Sequence, residues 1–404
     1  MRRGQIQHQE NNNHKGVMVM RKSLRTIAVA VAVAAAMTVT ACSAGTPSTT
    51  ATPTGAALSP QAQKAASIVA AATGTHDTFA APGPAITGVK QLSGKVVYYV
   101  AASIEVPLFK QISGSLATAL KPAGVQLRVC DAQGNPQGAA NCLGQAVNAH
   151  AAAVVAGGFP DVFAPVAFKA VRDAGIPLLY TMTSPVKSDD PKHVSYISPD
   201  YFKLQSQNAN WVIADSDAKA QVLVVEATDN PDLVAWVQQG AIATYKTDCS
   251  NCKVKVVTTT AAQLDKLPSL VTSALVANPS INYVQVSNDD REQATVQGIQ
   301  ATGRTGIKVI SGDGTLGVMQ SLASGNIVAA ETGFDSQAFS WYIADRVLRM
   351  MAGQAAPNYS FPVTRLFTHA TAAKLTLTPA AAMSGEWYGG SNYRSGLEKL
   401  WGLN

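Results

Sequence analysis

The sequence predicts an α/β protein built as two doubly wound parallel-sheet lobes joined by a hinge. From Lys95 to about Phe367, short β-rich runs alternate with amphipathic helical stretches in a βαβα rhythm with short loops. The strand candidates are apolar along their whole length, the pattern of strands covered by helices on both faces. The rhythm breaks once, at 182–200, where MTSPVKSDDPKHVSYISPD carries prolines, charges and a short extra strand, and then restarts. Ten strands could make one very wide sheet, but the break divides them into two lobes.

The strands expected in order are 96–101, 125–130, 152–157, 177–181, 221–227, 253–259, 282–287, 307–311, 327–331 and 363–367. Helices are expected at 109–120, 163–174, 233–245, 267–277, 291–301, 316–324 and 338–351. Right-handed crossovers between parallel strands then place helices on both sides of each sheet.

The 404 residues are 47% hydrophobic and 14% charged, enough apolar content for a real core and too much for a disordered chain. The net charge of +6 is unevenly placed. Arg2, Arg3, Lys15, Arg21, Lys22 and Arg25 precede Cys42 against Glu10 alone, which leaves 25 basic and 24 acidic residues beyond. Such a near-neutral body has no electrostatic footprint for nucleic acid.

The basic excess belongs to a targeting segment. Arg21, Lys22 and Arg25 form a positive region before an apolar run at 27–39, which is too short to span a bilayer. The run ends Val39-Thr40-Ala41-Cys42. This resembles a bacterial lipobox, in which the cysteine is acylated and becomes the new N-terminus. The polar stretch 1–19 fits no such signal, so Met18 or Met20 is the expected start. Residues 43–60 are uncharged and rich in Ser, Thr, Pro and Ala, the composition of a flexible tether. A short Ala-rich helix at 61–72 and a loop follow.

Apart from Cys42 there are four cysteines, an even number for an oxidising compartment. Three pairings are open. Local bonds are expected, Cys130 with Cys142 and Cys249 with Cys252. The CxxC at 249–252 follows a helix and precedes a strand, the reverse of a redox motif's setting. No further ligands with zinc spacing lie near it.

Several segments together carry a family resemblance. They are PLF at 107–109, DAQGNP at 131–136, GIP at 175–177, NDD at 288–290, SGDGT at 311–315 and SGNIVAAE at 324–331. In order and spacing the chain resembles the type I periplasmic solute-binding proteins of the ribose- and galactose-binding sort, over roughly two-thirds of its length. In detail it is similar to a sugar-binding group of Gram-positive actinobacteria, which often have a CD…NP…C loop and a CxxC in the second lobe. The resemblance implies a first lobe of 91–198 with 315–355 and a second of 199–314 with 356–380. A signal at 1–41 and a lipid-anchored tether at 42–90 precede them, and a C-terminal extension at 381–404 follows. It implies three crossings between lobes and a ligand in the cleft, where strand ends converge.

A sugar needs planar polar groups for its hydroxyls and aromatic faces for its C–H patches. Asn288 and Asp289 end a strand and open a helix. They are either helix caps or, as the resemblance implies for the asparagine, ligand contacts. Asp313 in SGDGT is a turn residue or, as the resemblance implies, a hydroxyl acceptor. Glu105 and Phe109 match cleft-facing positions, with Phe109 equally placed for stacking or for the core. Trp236 lies where the family has a polar contact from the second lobe. Thr332 and Phe334 follow the strand at 327–331. Met182 and Thr183 stand where ribose-type proteins carry an Asp-Arg pair, and no arginine lies near 237. The cleft is therefore expected to be less charged than that of a pentose binder, with no arginine to favour an anionic ligand.

GxSxG, HExxH and GxxxxGK[ST] are all missing. The expected function is thus capture of a sugar or sugar-like small polar molecule for an ABC-type permease. No catalytic residue, metal or cofactor is assigned. The protein is expected to be monomeric, exported and lipid-anchored outside the cytoplasmic membrane. A ligand-sensing receptor domain of the same fold is the alternative. A transcription regulator would need a helix-turn-helix where this chain has its lipobox.

Overall fold

The computed structural model describes residues 57–76, 78–185 and 191–403. Cys42, the signal segment and most of the expected tether lie outside the described residues. Twelve strands are found among the described residues. In chain order they are β1 Val96–Ala101, β2 Gln126–Asp131, β3 Ala153–Gly157, β4 Leu178–Thr181, β5 Val194–Pro199, β6 Gln221–Ala227, β7 Lys253–Thr259, β8 Tyr283–Val286, β9 Lys308–Asp313, β10 Val328–Phe334, β11 Tyr359–Phe361 and β12 Thr364–Thr368. They form two six-stranded sheets, in the orders β11-β5-β4-β3-β1-β2 and β12-β10-β9-β8-β6-β7. All pairs are parallel except β10 with β12.

Each sheet has an apolar layer on both faces, as the continuous apolar strands require. Tyr99, Leu116, Phe339 and Leu348 belong to one layer of the first sheet, and Leu143, Val154 and Phe168 to the other. Val271, Val284 and Met319 lie on one side of the second sheet, and Val212, Val224 and Tyr245 on the other. The helices that supply these layers start where the sequence offers caps. Asn135 Oδ1 accepts from Gly138 N ahead of Pro136–Asn148, and Asp335 Oδ1 accepts from Gln337 N and Ala338 N ahead of Ser336–Met351.

The chain crosses between lobes at 199–201, 334–336 and 361–364. Two expected boundaries therefore move. β10 pairs with β9 in the second sheet, and the helix Leu316–Ser324 before it packs in that sheet's core, so 315–334 belongs to the second lobe rather than the first. The short strand β11, absent from the sequence reading, pairs with β5 and keeps 356–361 in the first lobe. VSYIS, read as an interruption, is part of β5 and pairs in register with β4.

The ends of the described chain are built into the body. In the helix Pro60–Ala72, Ala62 and Ala65 are buried, and Ala65 packs in the core around Val212 and Ile213 of the second lobe. Ser59 N donates to Asp217 Oδ1 at 2.6 Å. Ile86, Val89 and Leu92 enter the first lobe's core, and Ile86 N donates to Leu400 O. The described part of 42–90 is thus no free tether. The C-terminal segment is no appendage either: Trp387 and Tyr388 pack in the second lobe, and Tyr393, Leu397 and Trp401 in the first.

Cys130 is bonded to Cys142, and Cys249 to Cys252. In the chain-entropy model a ~15-residue loop contributes ~3 kcal/mol and shorter loops less. The first bond spans 12 residues and the second 3. The Cys130→Ser/Cys142→Ser variant should therefore melt below the Cys249→Ser/Cys252→Ser variant. Equal melting curves would mean that loop length does not set their contributions.

Candidate functional site

The carboxyl ends of β1, β3, β4, β6, β8 and β9 converge on a cavity of about 160 Å³ between the lobes. The loops after parallel strands build both walls. On the first-lobe side the helix Pro107–Leu120 presents Leu108 and Phe109, and Gly158, Phe159 and Met182 follow β3 and β4. Gly158 has φ +84°, and a Cβ there would stand 2.4 Å from Phe109 Cζ. The missing side chain is what lets the Phe109 ring lie over this turn. On the opposite side Trp236 stacks on Tyr201, with centroids 4.1 Å apart and planes 13° apart. Ser184 N donates to Asp232 Oδ2 at 3.3 Å, from one lobe to the other.

Polar groups come from the second lobe. Asn288 stands at the cap position of a short helix but makes no capping bond, and its Oδ1 is buried without a partner. Asp313 ends β9. Its Oδ2 accepts from Asp289 N at 3.3 Å, while its Oδ1 is buried, unpartnered and on the cavity wall. Arg291 Nη1 donates to Asp290 Oδ1 at 2.8 Å and Oδ2 at 2.7 Å, and Nη2 donates to Asp229 Oδ2. The cleft thus holds an arginine, contrary to the sequence expectation. That expectation followed the family's positions, whereas Arg291 enters from the turn after β8 and is already occupied by two carboxylates.

Of the eight expected ligand-facing residues, Phe109, Trp236, Asn288 and Asp313 line the cavity. The other four do not. Glu105 is exposed: Asp131 Oδ1 takes Ile104 N at 3.1 Å, and the loop then turns Val106 rather than Glu105 inward. Asp289 is buried behind the wall, where it accepts from Ser311 Oγ (2.7 Å), Thr315 N (2.9 Å) and Thr315 Oγ1 (2.6 Å), which ties the turn after β8 to the end of β9 and the turn that follows it. Thr332 and Phe334 lie within β10, which runs three residues further than expected. Both are buried, and Phe334 packs edge-on against Tyr201 and Phe339. Asp229, Asp290, Arg291 and Tyr201 line the cavity without having been singled out in the sequence.

Two parallel-sheet lobes, three crossings and a cleft at the strand ends form the frame into which residues 97–355 fit the model of the periplasmic binding protein domain. The chain belongs to that family. It is accordingly a binding protein and not an enzyme. Solved structures share the fold. A sugar ABC transporter protein from Yersinia enterocolitica is 16% identical with TM-score 0.67, over 81% of this chain and 98% of that one. A solute-binding protein from Agrobacterium vitis with bound allitol is 19% identical with TM-score 0.62, over 70% and 98%. A 5-methylthioribose transporter protein from Thermotoga lettingae, with that ligand bound, is 16% identical with TM-score 0.64, over 75% and 96%. No curated protein sequence matches. No described helix is long and apolar enough to cross a membrane.

Behind the cavity of this periplasmic binding protein lies an unusual charge arrangement. Glu331, fully buried on β10, takes Asp313 N at 3.1 Å and Gly314 N at 2.8 Å on Oε1. Its Oε2 has no donor in reach and faces Asp289. Two carboxyl groups can bond side chain to side chain only through a shared proton. Burial, then the nearby Asp289 charge, pushes both Glu331 and Asp313 well above the usual carboxylate range, and burial raises Asp289. Burial and Asp289 also hold Glu292 up at about 7, and burial holds Asp335 at about 6.

These groups bind more protons folded than unfolded between their ordinary values and their raised ones. For Glu292 and Asp335 the contribution to stability is complete below about pH 4 and is lost as pH rises through 6 to 7. The melting temperature should fall from about pH 5 to about pH 8, and Glu292→Gln should flatten the slope. A melting temperature that rises over this interval would contradict the assignment.

Proposed function

We propose that this protein captures one sugar-like molecule in the cavity between its lobes and presents it to an ABC-type permease outside the cytoplasmic membrane. One observation carries the reading. Asp313 Oδ1 and Asn288 Oδ1 are buried polar atoms without partners, side by side on a cavity wall that aromatic rings face. Buried acceptors left unpaired are costly, and ligand hydroxyl groups are donors of the right kind. Phe109 and Trp236 offer faces for the C–H side of a ring. The bound allitol and 5-methylthioribose of the similar structures support the same chemistry.

Capture needs closure. Three thin crossings allow a hinge, and a ligand that touches both lobes favours the closed form by that difference in contacts. Delivery needs a fixed position at the membrane, which lipid on Cys42 provides if two or more chains are attached. The protein acts as a monomer in this reading.

A melting screen of sugars, polyols and nucleosides tests the ligand class. A binder at 100 times its Kd stabilises by about 2.7 kcal/mol through mass action. Hydroxylated compounds should raise the melting temperature, whereas amino acids, as an off-class control, should not. The opposite result would remove the sugar reading. Intact-mass analysis tests the anchor: the mature chain should begin at an acylated Cys42.

A further inference from the structure

The cavity is chemically two-sided. Every charged or amide side chain on its wall belongs to the second lobe: Asp229, Asn230, Asn288, Asp290, Arg291 and Asp313. The first lobe contributes Val106, Leu108, Phe109, Phe159, Phe163 and Met182, and its single polar side chain on the wall is Ser103. The polar groups that could have served the first-lobe side are turned elsewhere. Asp131 is bound to Ile104 N and Gln133 N, and Glu105 is exposed.

A compound with hydroxyl groups on all sides fits this wall poorly. Hydroxyls that face the first lobe away from Ser103 lose water and find no side-chain partner, which weakens binding by roughly tenfold or more for each. A methylene or methyl group in the same place gains roughly fourfold. We propose that the ligand is an amphipathic monosaccharide. Its hydroxylated edge lies on Asp313 and Asn288, and a deoxy, alkyl or alkylthio substituent lies against Phe109, Phe163 and Met182. This rests on the sugar reading above and narrows it.

The decisive measurement is titration calorimetry on the purified protein with matched pairs, D-galactose against D-fucose and D-ribose against 5-methylthio-D-ribose. Within at least one pair, the member with the apolar substituent should bind at least about tenfold tighter than its hydroxyl parent. If the parents bind equally well or better, the amphipathic assignment is overturned and the sugar reading stands. If no sugar in either pair binds, the sugar reading falls and takes this inference with it.

A variant supplies an independent arm. Met182 has φ +55°, a left-handed conformation that asparagine adopts more readily than most residues. Met182→Asn should therefore fold, as a melting curve can verify, while it places an amide on the apolar wall. The preference for the substituted sugar should then shrink by about tenfold. An unchanged preference in a folded Met182→Asn protein would show that the substituent does not face this wall.

Discussion

Asp313→Ala is expected to weaken sugar binding by at least about tenfold without lowering the melting temperature. Removing the partner of a buried hydroxyl group costs about 1–3 kcal/mol, and about 1.4 kcal/mol is a factor of ten in Kd. Asp313 Oδ1 has no partner within the protein, so the fold does not depend on that oxygen. Its Oδ2 takes Asp289 N, at 3.3 Å, and the Asn288 side chain lies within bonding reach of the same carboxyl group. Against this small loss stands relief from repulsion, because Asp289 and Asp290 both disfavour its charge. A neighbour that is merely structural behaves differently. Asp289 holds Ser311 and Thr315, so Asp289→Ala should melt early and affect binding only through the displaced loops. Calorimetry beside melting curves for both variants separates the roles. An Asp313→Ala protein that melts early and binds normally would take Asp313 out of the site.

The strand-end residues were legible because parallel strands with helices on both faces place their carboxyl ends at the cleft. NDD and SGDGT follow apolar runs and so stand at strand ends, and the family resemblance then marks Asn288 and Asp313 for the cavity. What the pattern could not say is which neighbour points inward. Asn288 and Asp289 are adjacent, yet one faces the cavity and the other anchors Thr315. The Arg291 cluster was hidden for another reason: Asp229 is 62 residues away, and only the pairing of β6 with β8 brings the two loops together. β11 has three residues and no periodicity, so its membership depends on β5. The strand at 327–331 was seen, but its lobe was not, because strand order is set by tertiary pairing rather than by local composition. The C-terminal segment lacks the βα rhythm, and its few aromatic residues gave no sign that they fill both lobes.

One of those aromatic residues ends in a buried ionic network, where the largest loss of stability is expected. Asp345 is fully buried in the helix Ser336–Met351 and accepts four bonds. They come from Arg349 Nε (2.7 Å), Arg349 Nη2 (3.1 Å), Arg346 Nη2 (3.3 Å) and Trp401 Nε1 (3.0 Å). Trp401 also stacks on Trp341 at 5.7 Å. Arg346 reaches Pro82 O and Pro357 O, so the same guanidinium fastens the N-terminal segment and the stretch before β11 to this helix. Asp345→Ala leaves two guanidinium groups buried with their counter-charge removed. Breaking a buried pair in this way costs about 3–5 kcal/mol. For a chain of this size the melting temperature should fall by on the order of 10 °C. Sugar affinity, measured below the transition, should be unchanged because the cavity wall contains none of these residues. Replacing Asp345, Arg346 and Arg349 together by apolar residues of similar volume should restore part of the loss, since no charge is then stranded. Urea unfolding of the two variants decides the matter. A loss below about 1 kcal/mol for Asp345→Ala would mean that water reaches the arginines, and that the N- and C-terminal segments are held by their apolar contacts alone.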